Sequence, residues 1–182
     1  MNPAPPLPAL VLLLVTTLLT SCGRDPTSSV AVSAELTAGT PGLSVSGYME
    51  RDLSDEFFTV VEKYSFIAHT LSDGAVQGRF EVRDFGAGLE GSWAKGRVTC
   101  LSMYTDGITA RMGGIVESAG DPQYIGSEAA WWVRDTGEGL NQDLGTDLRW
   151  GLPPGSAEEQ CTIGIPLGTF GPTSHGNVQI RQ

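Results

Sequence analysis

The sequence predicts an all-β domain, an antiparallel meander of about eight strands separated by tight turns. Three observations carry this reading. Val76, Gly78, Phe80 and Val82 alternate with Gln77, Arg79, Glu81 and Arg83, the period of two expected of a strand with one buried face. Asp-Gly pairs at Asp73-Gly74 and Asp106-Gly107 stand between strand-like runs, a strong hairpin signal because glycine accepts the positive φ such turns need. No segment carries a sustained apolar period of 3.6 with caps at its ends, so little helix is expected. Glycine-bent strands help a sheet to close, which favours a small closed barrel; a two-sheet sandwich is the alternative.

The chain opens with an apolar, uncharged run from Leu7 to Leu19. At about 13 residues it is too short for the roughly 20 a membrane-spanning helix needs, and it fits the apolar region of a secretory signal. The preceding MNPAPP has no Lys or Arg. Leu19-Thr20-Ser21-Cys22 then resembles the lipobox of bacterial lipoproteins, in which the cysteine sulfur receives a diacylglyceryl group and cleavage makes that cysteine the N-terminus. The resemblance implies a signal peptide over residues 1–21, a lipid on Cys22 and a membrane partner held through acyl chains. Two or more chains, at ~0.8 kcal/mol per buried CH₂, anchor stably where one does not. Cleavage after Val32-Ser33-Ala34, giving a secreted form, is the alternative. Residues 22–42 are rich in Ser, Thr, Pro, Gly and Ala and read as a flexible tether, with Val30 to Leu36 a further strand candidate.

Residues 43–182 make the single β domain. Leu43 to Met49 is a short strand, and Phe57 to Thr70 a strand-like run whose Tyr64, Phe66 and Ala68 face the same core as Val76 and Phe80. Arg97 to Met103 leads through Tyr104–Gly107 into Ile108–Met112, where Ile108, Ala110 and Met112 point one way and Thr109 and Arg111 the other. Gly113-Gly114 marks a bulge, a bend or a close backbone approach. Glu128 to Asp135 is another strand, and Thr162 to Ile165 a short one. In EAAWWVRD, Ala129, Trp131 and Val133 form the buried register, whereas Trp132 and Arg134 fall on the outer face as a candidate binding surface.

Every charged residue lies beyond Cys22, so the 182 − 22 = 160 residues after it keep the net charge of −10. That balance opposes nucleic-acid binding, which cations drive, and adhesion to anionic lipid headgroups. With Cys22 assigned to lipid, Cys100 and Cys161 remain as a pair, and export favours a disulfide between them. Closing a loop of this length stabilises by about 4 kcal/mol on the chain-entropy model. Val98 and Cys100 share a face by alternation, so Cys100 is expected to point inward.

Residues 135–147 place Asp135, Glu138, Asn141, Asp143 and Asp147 close together among glycines. Such oxygen donors suit Ca²⁺, although the spacing is not that of an EF-hand and an acidic solvated turn explains the composition equally well. Catalytic motifs are missing: there is no Gly-x-Ser-x-Gly elbow, His-Glu-x-x-His, Cys-x-x-Cys or phosphate loop. Histidine occurs only as His69 and His175.

Gly96-Arg97-Val98-Thr99-Cys100-Leu101, Gly113-Gly114, Val133–Gly139, and Leu152-Pro153-Pro154-Gly155 with Cys161 together resemble an uncharacterised family of exported bacterial β-rich proteins. The resemblance implies a secreted β domain and transfers no activity. The expected function is therefore a lipid-anchored, non-catalytic binding or structural module of the bacterial cell envelope. The alternatives are a barrel carrier of a small apolar ligand and an enzyme with an acidic, metal-assisted site at Asp135, Glu138, Asp143 and Asp147.

Overall fold

A computed structural model describes residues 42–57, 59–89, 91–137, 143–163 and 165–182, all within the compact unit 31–182. The signal-peptide and tether segments, Cys22 and the strand candidate at Val30–Leu36 lie outside the described residues. The elements are β1 (Ser44–Asp52), β2 (Val61–Thr70), β3 (Val76–Phe85), β4 (Trp93–Met103), β5 (Thr109–Ala119), β6 (Glu128–Arg134), β7 (Leu144–Gly145), β8 (Arg149–Leu152), α1 (Ser156–Ile163), β9 (Gly171–Pro172) and β10 (His175–Arg181). All ladders are antiparallel, in the order β10-β1-β2-β3-β4-β5-β6-β7-β9, with β8 also pairing β6. The domain is thus the expected all-β meander, curled into one barrel-like sheet rather than split into a sandwich.

The turns form for local reasons. Asp73 accepts the Ala75 amide at 2.9 Å, with Gly74 at φ 84°. Asp106 accepts the amides of Ile108 and Thr109 and the Thr109 hydroxyl, with Gly107 at φ 73°. Strand alternation then fills the interior. Trp131 lies 5.3 Å from the Phe80 ring and 6.1 Å from Phe66, among Val45, Met49, Tyr64, Met112 and Val133. Gly113-Gly114 is a close approach on both faces: a Cβ on Gly114 would strike Phe80 and the Arg97 carbonyl, and one on Gly113 would strike Ala157 of α1.

The seam between β6–β7 and β10 is bridged by side chains. Asp143 Oδ2 accepts the Val178 amide at 2.6 Å and its Oδ1 the Thr136 amide at 3.0 Å, while Asp135 Oδ2 accepts the Ile180 amide at 3.1 Å.

Three expectations are corrected. Thr162 and Ile163 belong to a helix, not a strand. Glu128 caps that helix by accepting the amides of Ala157 (2.6 Å) and Gly155 (3.0 Å), and Glu158 and Glu159 in its first turn suit the helix dipole. Cys100 faces outward, because the β4–β5 register shifts between Val98 and Cys100; Thr99 is the extra residue, and one extra residue reverses the alternation. The Cys100–Cys161 disulfide therefore clasps α1 to the outer face of the sheet. Ile108 is exposed at the hairpin tip rather than buried with Ala110 and Met112.

Candidate functional site

The outer face of β5–β6 was the first candidate. Trp131 and Trp132 leave opposite faces as alternation requires, yet Trp132 is only 3% exposed. Its indole packs against Tyr104 at 5.8 Å and Phe170 at 6.3 Å, with the Arg111 guanidinium 5.7 Å above the ring. Arg134 lies 4.9 Å over Phe170, donates to Thr109 Oγ1 at 2.9 Å and pairs with Asp106 at 3.5 Å. Trp132 is therefore covered, whereas Arg134 lies at the edge of the same layer with its side chain 33% exposed. Strand periodicity assigns a face, but what covers that face is a tertiary matter.

The acidic segment is described only in part. Asp135 and Asp143 meet at the seam as acceptors of backbone amides. Asp147 pairs with Arg149 at 2.8 Å and lies 4.0 Å from Arg51. Glu138 and Asn141 lie outside the described residues. Among the described residues no group of three or more His, Cys, Asp or Glu is placed to hold a metal ion.

At one end of the sheet sits a polar cluster that the sequence reading missed. Glu62 is 3% exposed and both its carboxylate oxygens accept the Leu148 amide, at 3.1 and 3.2 Å. Burial pushes its pKa up to about 8, opposed first by the Leu148 amide and then by Arg51, with Asp84 and Asp147 adding to the rise. Burial likewise raises Asp84, which accepts from the Ser92 hydroxyl at 3.0 Å. Arg51 reaches the Thr169 carbonyl at 3.3 Å, and Tyr64 donates to the Thr146 carbonyl at 2.8 Å. A cavity of about 300 Å³ adjoins Glu62, Asp84 and Asp147. Chemically, this end holds a carboxyl that keeps its proton at neutral pH.

The open concavity is on the outer face of β1–β5, a groove of about 800 Å³ lined by Ser46, Ser65, Ile67, Arg79, Glu81, Lys95 and neighbouring residues, with Phe66 and Phe80 reached between glycines. Alternation turns Lys63 of β2, Arg79, Glu81 and Arg83 of β3, and Lys95 and Arg97 of β4 outward. Register sets Lys63 opposite Arg83 and Arg79 opposite Arg97. Glu81 is shared by Lys95 (3.1 Å) and Arg83 (2.9 Å), Glu117 pairs with Arg97 (3.3 Å) and Glu50 with Lys63 (2.7 Å). Burial pushes the Glu81 carboxyl up, but its two cations outweigh this and hold it below its ordinary value. Among the described residues Arg79 has no ion pair. The alternating cations of β3 were visible in the sequence, whereas their stacking across three strands needed the register.

No family model, curated protein or solved structure matches this chain.

Proposed function

We propose that the protein is an exported, lipid-anchored module of the bacterial cell envelope that binds a partner, without catalysis, through the outer face of β1–β5. The observation that carries this reading is the contrast between a filled interior and an open groove outside. Trp131, Tyr64, Met49 and Met112 are each at most 1% exposed within the sheet, where a carrier of a small apolar ligand needs an enclosed apolar pocket. Beside it stand the lipobox-like Leu19–Cys22, the likeness to exported β-rich proteins and the Cys100–Cys161 disulfide, a bond favoured in oxidising compartments. Among the described residues no helix is long and apolar enough to cross a membrane; the proposed attachment is the acyl group on Cys22.

Two measurements test the proposal. Growth with labelled palmitate should label the wild type, and Cys22→Ser should lose the label and accumulate precursor; label that survives the substitution removes the anchor. A photo-cross-linking residue at Ile67 should capture an envelope component that the same residue at Glu158, on α1, does not. Equal capture at both positions, or none at Ile67, removes the groove as the binding surface.

A further inference from the structure

Resting on the reading of the β1–β5 face as a binding surface, we infer that its partner is an acidic polypeptide segment with apolar side chains, bound across Lys63, Arg79, Arg83, Lys95 and Arg97. Like charges directly opposite on neighbouring strands destabilise a sheet. This sheet carries two such pairs side by side, Lys63 with Arg83 and Arg79 with Arg97. Within the fold Glu50, Glu81 and Glu117 offset part of this cost at Lys63, Arg83 and Arg97, but among the described residues no ion pair reaches Arg79, where a bound anion turns the remaining repulsion from Arg97 into attraction.

The charge distribution points the same way. The chain has 11 Lys and Arg against 21 Asp and Glu, yet the outward charges of β2–β4 are five cations and Glu81, with Glu50 and Glu117 paired at the edges of the same face, so the face stays net positive. An anionic chain is therefore repelled elsewhere and steered to this face. The acids within reach are already shared, leaving the Arg79 guanidinium to take a carboxylate in a two-pronged contact.

The groove selects the kind of anion. Ile67 stands 46% exposed within it, between Ser46 and Arg79 in register. A peptide alternating acidic and apolar residues places carboxylates on the cations and an apolar side chain on Ile67. An anionic sugar chain has no such apolar group, and a flat anionic bilayer does not enter a groove.

The test uses the full chain in detergent and a fluorescein-labelled peptide of alternating Glu and Leu, followed by anisotropy. Binding should weaken steeply with added salt. Arg79→Glu with Arg97→Glu should weaken it by about tenfold or more, roughly the effect of a modest change in interface free energy, whereas Arg181→Glu, at the end of β10, should leave it unchanged. A single cooperative melting transition of the double variant, within a few degrees of the wild type, shows the fold intact. Equal affinity of wild type and double variant overturns the proposal, as does equal affinity for a Lys-Leu peptide. Tighter binding to heparin or to phosphatidylglycerol vesicles than to the Glu-Leu peptide overturns the choice of an acidic polypeptide. Cross-links from Ile67 without peptide binding overturn the partner class and leave the groove as a binding surface; loss of both overturns both.

Discussion

The two halves of the outer sheet face solve one problem in opposite ways. Over β5–β6, the cations Arg111 and Arg134 lie on Tyr104, Trp132 and Phe170, roofed by α1 and fastened by the Cys100–Cys161 bond. Over β2–β4, five cations stand uncovered and two pairs of them oppose each other. Where this chain needs a stable outer face it supplies a helix, aromatic rings and a crosslink. Over β2–β4 there is no helix and no crosslink: Lys63 and Lys95 lie over Phe85 and Trp93, four of the cations are held by Glu50, Glu81 and Glu117, and among the described residues no ion pair reaches Arg79. The contrast separates residues kept for stability from residues kept for contact.

The largest effects should come from the covered and interior side. Trp131→Ala should cost about 3–5 kcal/mol, and Trp132→Ala about as much, because both indoles are buried. On the bare side Ile67→Ala should change stability by no more than about 0.5 kcal/mol. Urea unfolding of the three variants checks this, and a Trp132→Ala as mild as Ile67→Ala would break the comparison. Replacing Cys100 and Cys161 by Ser should cost about 4 kcal/mol on the chain-entropy model and loosen α1 from the outer face of the sheet, seen as faster deuterium exchange of the α1 amides. Asp143→Ala, which leaves the buried Val178 amide without its acceptor, should cost roughly 1–3 kcal/mol, read from the urea midpoint.

Glu62 gives a pH-dependent contrast. Its folded pKa of about 8 lies above the ordinary 4.5, so the folded state holds this proton more tightly than the unfolded chain. The resulting stabilisation is complete below the unfolded value and is lost as pH rises through the folded one. Wild-type melting temperature should therefore fall between pH 5 and pH 9 by more than that of Glu62→Gln, which keeps an acceptor for Leu148 and has no proton to lose. Parallel curves for the two proteins would show that Glu62 does not titrate there. The smallest effect is expected at Arg79→Thr, a gain of a few tenths of a kcal/mol from relieving the contact with Arg97. A loss of stability there would mean that the bare face is part of the folding design after all.

Local chemistry was legible in the sequence wherever one period or one turn decides the outcome. The alternation of Val76–Arg83, the opposed faces of Trp131 and Trp132, the Asp73 and Asp106 turns and the glycine pair at Gly113-Gly114 all act through their immediate neighbours. The unread features depend on partners far along the chain. α1 is held by Glu128 from β6, and Cys100 is turned outward by a single bulge at Thr99. The lid on Trp132 arrives from residue 170, and Glu62 is buried by a segment near Leu148. For the candidate site, the cations of β3 were in view, but only the register with β2 and β4 showed them massed. Of the acidic residues 135–147, Asp135 and Asp143 accept backbone amides across the seam, a contact that composition alone does not show.

That seam also sets how the molecule breathes. β10 is bound along one side by a continuous ladder to β1 and along the other, at Val178 and Ile180, by two carboxylates. Side-chain acceptors can let go one at a time, whereas a ladder opens as a unit. The amides of Val178 and Ile180 should therefore exchange with deuterium through small local openings, well ahead of the central amides of β2 and β3, whose release requires the whole sheet to come apart.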